Sequence, residues 1–576
     1  MKSADLTIND LAKADFGVRG YYATLALILL FSLWLRAGFP ILAFAGPHDD
    51  LLFVHMAATI GAGNWLGDYN NLTLAKGAAY SVFLLANHVT GLPLKFSEHL
   101  LYLLAALFFA SILGRLYAAK WATLVAFALL AFIPTAWDPE PSGRIVRECL
   151  YVSLSLFLLA LAVRCFVPSK STSVADELRE KRLFLVLLGF VAGIYWLTRE
   201  EGVWLLPSGA ILIACWLWSR RIMLRPWRVT AFFLVLPLIP ALLVVGTVNT
   251  INYFKYGVFR NNDFRSAVFQ AAYGALSRIK HDHWQRFVFF PKDARERAYR
   301  LSPAVRELQP YFDGAIGENW RKNGCNQTDI NRCPEIRAGW LMWALRDMVA
   351  AAGYYRSAKD ADVFYTRLAS EVNAACDQHP GECLPYRQTL MPPWRNEYLL
   401  DTARTSWEVF VKLITLNGAH IGVGGRVSTG LPGELALMNL ISNGPLVPPE
   451  QSASAAGQTA PKLVSKRDRI RYQIAENLAK AENIISKYGV PVSIVTWLAW
   501  VIVAIRRRKL DAGLVISSAL VAAVGARVLL LGFLEATSMP GANNMLYLSP
   551  VAPMALALIP TGLFGVIAFL KKHAWN

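Results

Sequence analysis

The chain has 576 residues, 55% hydrophobic and 17% charged, with a mean hydropathy of +0.36, a combination that excludes an ordinary soluble globular protein. A formal net charge of +18 would suggest a nucleic-acid partner in a soluble chain. Here the basic residues gather just after apolar runs, as at Arg506, Arg507, Arg508 and Lys509, so the charge sets membrane orientation and no nucleic acid is expected.

The first twenty residues are mixed polar, and the apolar run after them is long enough to stay in the bilayer as its own insertion signal. Stretches approaching the roughly 20 residues that a spanning helix needs run approximately over Tyr21 to Phe44, Ser97 to Tyr117, Trp121 to Thr135, Glu148 to Val167, Leu183 to Leu197, Gly202 to Trp218, Val229 to Val248, Val490 to Ile505, Gly513 to Phe533 and Met545 to Leu570. With both termini cytoplasmic, every inner connection is basic: Arg115 to Lys120, Ser169 to Arg182, Ser219 to Arg228, Arg506 to Lys509 and the tail from Lys571. One register fits all ten spans, which predicts a multi-pass protein of a bacterial-type inner membrane.

The outer segment from Asn249 to Gly489 is too long for a loop and reads as a mostly helical folded domain, periplasmic or extracellular. The polar tract Gln451 to Lys462 reads as a linker, and Ser465 to Lys487 as a helix leading into the eighth span. The chain thus divides into a catalytic module over 1–248 with a first outer loop at 45–96, an extracytoplasmic domain and linker over 249–489, and C-terminal membrane helices over 490–576. Cys325, Cys333, Cys376 and Cys383 lie in the outer segment as two close pairs. On an oxidising side of the membrane they are disulfide candidates, and neither pair has the C-x2-4-C spacing of structural zinc sites.

Ionisable residues near the membrane carry the functional signal, because a charge at mid-span costs about 2.5 to 3.5 kcal/mol. The first outer loop opens with Gly46-Pro47-His48-Asp49-Asp50 and continues through His55; the competing role for the two carboxylates is to cap the helix that follows. Lys76 precedes a run of small residues and either meets an anionic headgroup or snorkels beside a span. The second outer loop brings Asp138, Glu140, Arg144, Arg147 and Glu148, and the third is the short turn Thr198-Arg199-Glu200-Glu201, where Arg199 pairs with a carboxylate or binds phosphate. The last outer loop supplies Glu535, Asn543 and Asn544, with Tyr547 following. All of these fall on one face under an orientation derived only from Lys and Arg. Phosphate-binding Gly-rich loops, H-E-x-x-H and G-x-S-x-G patterns are missing from the chain.

At these residues the chain resembles the glycosyltransferase-C superfamily of polyprenyl-phosphate-sugar enzymes, which includes protein O-mannosyltransferases and lipid A aminoarabinose transferases. The likeness rests on Asp49-Asp50 after the first span, Lys76-Gly77, the Thr198-Arg199-Glu200-Glu201 turn and Tyr547-Leu548-Ser549-Pro550. It covers the membrane half; the outer domain matches no named fold, and Lys76-Gly77-Ala78 stands where many relatives have Lys-Pro-Pro or Lys-Gly-Pro. The resemblance implies an all-α fold of about ten transmembrane helices and an inverting transfer of a hexosyl or pentosyl unit from a polyprenyl-phosphate donor to a glycan, glycolipid or protein acceptor. It implies Asp49 as general base with Asp50 the close alternative. Lys76, Arg199 and Arg147 would meet the donor phosphate, Glu200 would orient Arg199, and His55, Glu201, Asn544 and Tyr547 would support the site or bind sugar. No cofactor is required, though a divalent ion between carboxylate and phosphate fits the same scheme. Two other classes compete: a transporter or flippase of a lipid-linked or anionic substrate, for which Arg527 inside the ninth span speaks, and a non-catalytic glycan-binding scaffold.

Overall fold

The computed structural model of the chain describes residues 17–167, 173–220, 227–282, 284–325, 335–422, 426–449 and 465–573. Among these the secondary structure is helical, with isolated β-bridges and no strand. Eight helices are long and apolar enough to cross a bilayer: Val18–Arg36, Leu94–Leu116, Glu148–Phe166, Val174–Thr198, Gly202–Ser219, Trp227–Tyr256, Lys466–Arg507 and Ala512–Thr537. Lys120–Ala131 and Ala552–Gly565 are shorter apolar stretches, and with the eight they match the ten expected segments.

The boundaries differ where backbone chemistry overrides apolar content. The first helix stops at Arg36 rather than Phe44, because Pro40 has no N–H to give and biases Phe39 toward extended backbone. Beyond it, Ile41 N donates to Pro445 O at 3.0 Å and Val447 N to Ile41 O at 2.8 Å, so backbone groups freed from the helix find partners across the chain. Lys466–Arg507 is one helix of 42 residues. At 1.5 Å per residue it is about 63 Å long, twice a hydrocarbon core of roughly 30 Å, so its first half stands clear of lipid, as expected of Ser465 to Lys487. The tract from Gln451 to Lys462 lies outside the described residues.

The outer segment contributes to two cores. The helices Ala267–Arg278, Lys292–Leu301, Ala338–Ala351 and Ala358–Gln378 bury Phe269, Tyr273, Phe312, Leu345, Phe364 and Leu368 among themselves. Cys376 and Cys383 form a disulfide at the end of the last of these, which leaves neither for a metal; Cys333 and the Cys325 side chain lie outside the described residues. By contrast, Val409 and Leu413 of Glu397–Thr415 and Met438 of Pro432–Ser442 join the core of the membrane helices. There Thr405 Oγ1 donates to Gly532 O at 2.7 Å. A Cβ on Gly532 would lie 2.1 Å from Ser406 Oγ, so only glycine allows this approach.

Arg346 ties the outer core to the first outer loop. Its guanidinium is fully buried and donates to Asn71 O at 2.7 Å, Thr73 O at 2.9 Å and Asp263 Oδ2 at 2.8 Å. Asp263 N in turn donates to Leu74 O at 2.8 Å, so residues 71–74 are held immediately before Lys76. Removing one partner of a buried pair costs about 3 kcal/mol or more. Arg346→Met is therefore expected to lower Tm by several degrees and to make the 257–383 region sensitive to trypsin, measured on purified protein in detergent.

Candidate active site

The site begins where the chain leaves its first helix. Ala45 N donates to Thr429 O at 2.8 Å and Thr429 N to Ala43 O at 3.0 Å, which delivers Gly46 to Asp49 onto the start of the Asp50–Gly61 helix. Asp49 takes the N-cap position, yet its carboxylate makes no capping hydrogen bond. It pairs instead with Lys76. Lys76 does not snorkel: it is 4% exposed, with its ammonium 5.0 Å from the Phe53 ring and 5.7 Å from Trp343. Gly77 explains its placement, since a Cβ there would lie 1.9 Å from Leu197 O. Glycine lets this loop rest against the end of the Val174–Thr198 helix, and so beside the turn that carries Arg199.

Asp50 faces the other way. Arg144 Nη2 reaches Asp50 Oδ2 at 2.6 Å and Nε reaches Oδ1 at 3.3 Å. The fork holds a carboxylate with no exposed surface, so Asp50 positions Arg144 and does not reach a substrate. Burial pushes the Asp50 carboxyl up to about 6 against the pull of Arg144. At Asp49 burial acts in the same direction, but Lys76, with Arg144 and Arg147 further off, outweighs it and holds the carboxyl below the usual range.

Three further cations complete the cluster. Arg147 Nη1 donates to Glu200 Oε1 at 2.8 Å. Arg199 Nη1 donates to Glu148 Oε1 at 2.5 Å and Nη2 to Glu201 Oε1 at 3.4 Å. Glu200 therefore orients Arg147 and not Arg199, because the turn after Thr198 sends these neighbouring carboxylates to different cations. Arg527, fully buried, donates to Glu201 Oε2 at 2.8 Å and to Tyr547 O at 2.9 Å. Tyr547 lays its ring 5.0 Å from the Arg199 guanidinium, and Arg199 Nε is buried without a hydrogen-bond partner among the described residues. Asn262 Nδ2 joins the two outer loops by donating to both Ala75 O and Glu200 Oε1 at 3.0 Å.

Most of these groups line one cavity of about 280 Å3, with Asp50, Asn262 and Arg527 behind its wall. It brings together Asp49, Lys76, Arg147, Arg199, Glu200, Glu201 and Tyr547, together with His48, Arg144 and Glu148, and its outer wall comes from Phe264, Trp340 and Trp343. Asp49 is 54% exposed, and as a lining residue it turns that surface toward the cavity. Three expected members lie elsewhere: Asp50, buried against Arg144, is absent from the lining, and so are His55 and Asn544. His55 is exposed and absent from the lining; five residues beyond Asp50 in a helix it points about 140° away from it. The Asn544 side chain accepts from Tyr547 N at 3.1 Å, capping a short helix rather than entering the cavity. Among the described residues no cluster of three or more His, Cys, Asp or Glu groups is arranged to hold a metal ion.

No family model matches the chain, and no curated protein matches it. Among solved structures it is similar to ArnT from Cupriavidus metallidurans bound to undecaprenyl phosphate, at 14% identity and a TM-score of 0.33, over 94% of this chain and 78% of that one. The apo form of the same protein superposes at 15% identity and a TM-score of 0.32 over the same shares. Overlaps this loose carry no functional argument, and the reading below rests on the site.

Glu201 gives the cluster a pH signature. Burial raises its carboxyl, but Arg199 and Arg527 outweigh burial and bring it from 4.5 down to about 2. A depressed folded-state value means that its contribution to stability is complete above pH 4.5 and is lost as pH falls toward 2. The Tm deficit of Glu201→Gln against wild type is expected to be constant from pH 8 to 5 and to narrow below 4.5. A deficit that does not narrow would show that packing, not charge, is lost.

Proposed function

We propose that the chain is a glycosyltransferase of the glycosyltransferase-C type, transferring a sugar from a polyprenyl-phosphate carrier to an acceptor hydroxyl at the outer face of the membrane. The observation that carries this reading is a cavity in which Asp49, the most exposed of the lining carboxylates, sits beside Lys76, Arg147 and Arg199 at the outer ends of apolar helices. A sugar phosphate has a good leaving group that needs cations rather than an acid. The attacking hydroxyl needs a base on the opposite side of the anomeric carbon.

The acceptor oxygen forms its bond to the anomeric carbon while the bond from that carbon to the phosphate oxygen breaks. The electron pair leaves with the polyprenyl phosphate, the acceptor proton passes to Asp49, and the anomeric configuration inverts. Lys76, Arg147 and Arg199 stabilise the charge developing on phosphate. At rest Lys76 makes Asp49 a weak base. A donor phosphate competing for Lys76 removes that pull, and the donor covers the exposed face of Asp49, so that desolvation raises the carboxyl toward a better proton acceptor. The residues present account for the chemistry without a metal ion, and a divalent ion bridging Asp49 and phosphate is the variant of the scheme to test by chelation.

The proposal places the acceptor, whether glycan, glycolipid or protein, on the side of the outer domain, and both termini in the cytoplasm of a bacterial-type inner membrane. It takes 1–248 as the catalytic module, 249–489 as the extracytoplasmic part and 490–576 as the closing helices. Arg527, the residue that speaks for transport, has its charge spent on Glu201, and no other observation favours that reading.

Transfer of radiolabelled sugar from polyprenyl-phosphate donors in membranes is expected to fall about 10^2- to 10^4-fold in Asp49→Asn, the usual share of a general base, at matched expression. Unchanged transfer would remove Asp49 from the mechanism. A cysteine introduced at Lys359 should react with an impermeant thiol reagent from outside the membrane and one at Lys509 only after permeabilisation; the reverse pattern would overturn the orientation.

A further inference from the structure

We propose a second ligand site: a cavity across the Pro139–Arg144 segment from the reaction cavity, with Arg36 as its cation, binds the phosphate of an anionic amphiphile whose hydrocarbon lies along its apolar walls. The cavity measures about 550 Å3. It runs between the stretch after the first span, the start of the Leu94–Leu116 helix, residues 444–448 and the foot of the Lys466–Arg507 helix.

Arg36 is 4% exposed and lines this cavity together with a small adjoining space of about 50 Å3. Its one hydrogen bond among the described residues runs from Nη2 to Ser142 O at 2.6 Å, and its guanidinium lies 5.8 Å from the Phe39 ring. No carboxylate among the described residues pairs with it. The other charged groups lining the cavity are already matched. Lys95 Nζ donates to Glu98 Oε2 at 2.7 Å and to Arg144 O at 2.5 Å. Asp468 accepts from Arg471 Nη1 at 2.8 Å and from Ser465 Oγ at 2.7 Å. Among the described residues one buried cation is left over, an arrangement that is costly unless an anion arrives to meet it. The guanidinium presents a planar fork suited to phosphate oxygens.

The walls specify the rest of the ligand. Phe39, Ile41, Leu92, Phe96 and Leu446 line the cavity, and its volume falls in the range that takes a ligand of drug size, far more than a bare phosphate fills. Arg36 ends the first spanning helix, so the cation stands at headgroup depth where a lipid phosphate diffuses in the bilayer. A buried cation with apolar side chains around it selects a phosphorylated lipid over inorganic phosphate. The inference does not depend on glycosyl transfer in the neighbouring cavity.

The test uses full-length protein in a neutral detergent, with dodecyl phosphate as probe and inorganic phosphate as competitor, read by native mass spectrometry or calorimetry. Arg36→Gln is expected to weaken dodecyl phosphate binding at least tenfold. Leu92→Trp keeps every charge and fills the cavity from a partly exposed rim position, and it should weaken binding comparably even where the arginine variant fails to fold. Lys76→Gln weakens only the separate phosphate site that the proposed function puts in the reaction cavity, so one equivalent of dodecyl phosphate should remain bound with its affinity changed less than threefold. Binding unaltered by both Arg36→Gln and Leu92→Trp would overturn the site. Displacement by inorganic phosphate at the concentration that dodecyl phosphate itself requires would overturn the lipid assignment.

Discussion

Buried charge is the constraint on which the outer end of this bundle depends. Lys76, Arg144, Arg147, Arg199 and Arg527 all sit where water is scarce, and each is met by a carboxylate: Asp49, Asp50, Glu200, Glu148 and Glu201. The partners are separated by up to 326 residues, as for Arg527 and Glu201. Such pairs add little net stability over apolar packing, but a wrong arrangement would strand a charge in a low-dielectric setting. The cluster therefore acts as a register for the outer loops, which no single loop could supply.

The outer core is held to that register by hydrogen bonds to backbone carbonyls, besides the packing of Tyr69 and Ala75 against it. Arg346 donates to the carbonyls of Asn71 and Thr73, Asn262 to that of Ala75, and Arg265 Nη2 to that of Arg199 at 3.0 Å. Each bond fixes the path of the chain directly beside a cavity residue. The same helix that contributes Arg346, Ala338–Ala351, also contributes Trp340 and Trp343 to the wall, so anchoring the helix and shaping the cavity are one act of packing.

Much of this was legible in residue order. Ten apolar segments and the basic connections between them suffice to put Asp49, Lys76, Arg147 and Arg199 on one face, because bilayer thickness and the placement of Lys and Arg are local properties of a chain. The Lys76-Gly77 step also reads locally, and the structure supplies its reason in the contact of Gly77 with Leu197. What residue order does not carry is which carboxylate serves which cation. Glu200 and Glu201 are adjacent and chemically alike, and only the geometry of the turn sends one to Arg147 and the other toward Arg199 and Arg527. Trp343 and Phe264 were invisible for a related reason: aromatic residues in a mixed helical segment look the same whether they face a core or a cavity. The end of the first helix at Arg36 was masked by apolar content through Phe44, where Pro40 and the partners at 428–447 decide the backbone. His55 was misplaced by proximity in the chain, which helical rotation undoes within two turns.

Under the proposed function, the Lys76–Asp49 pair also bears on how water is refused. A carboxylate held below its usual range is a poor base toward any hydroxyl, water included, so the resting cavity has little power to activate water. The donor brings the phosphate that draws Lys76 away, and base strength then rises only with a donor in place. Selectivity against hydrolysis is left to whichever hydroxyl fills the remaining space, and here the aromatic wall of Trp340, Trp343 and Phe264 is well suited. Aromatic faces offer a sugar C–H surface dispersion contacts that a water molecule cannot return. The division of labour is then physical: ion pairs set when the base is available, and the wall supplied by the outer domain sets what it is available to.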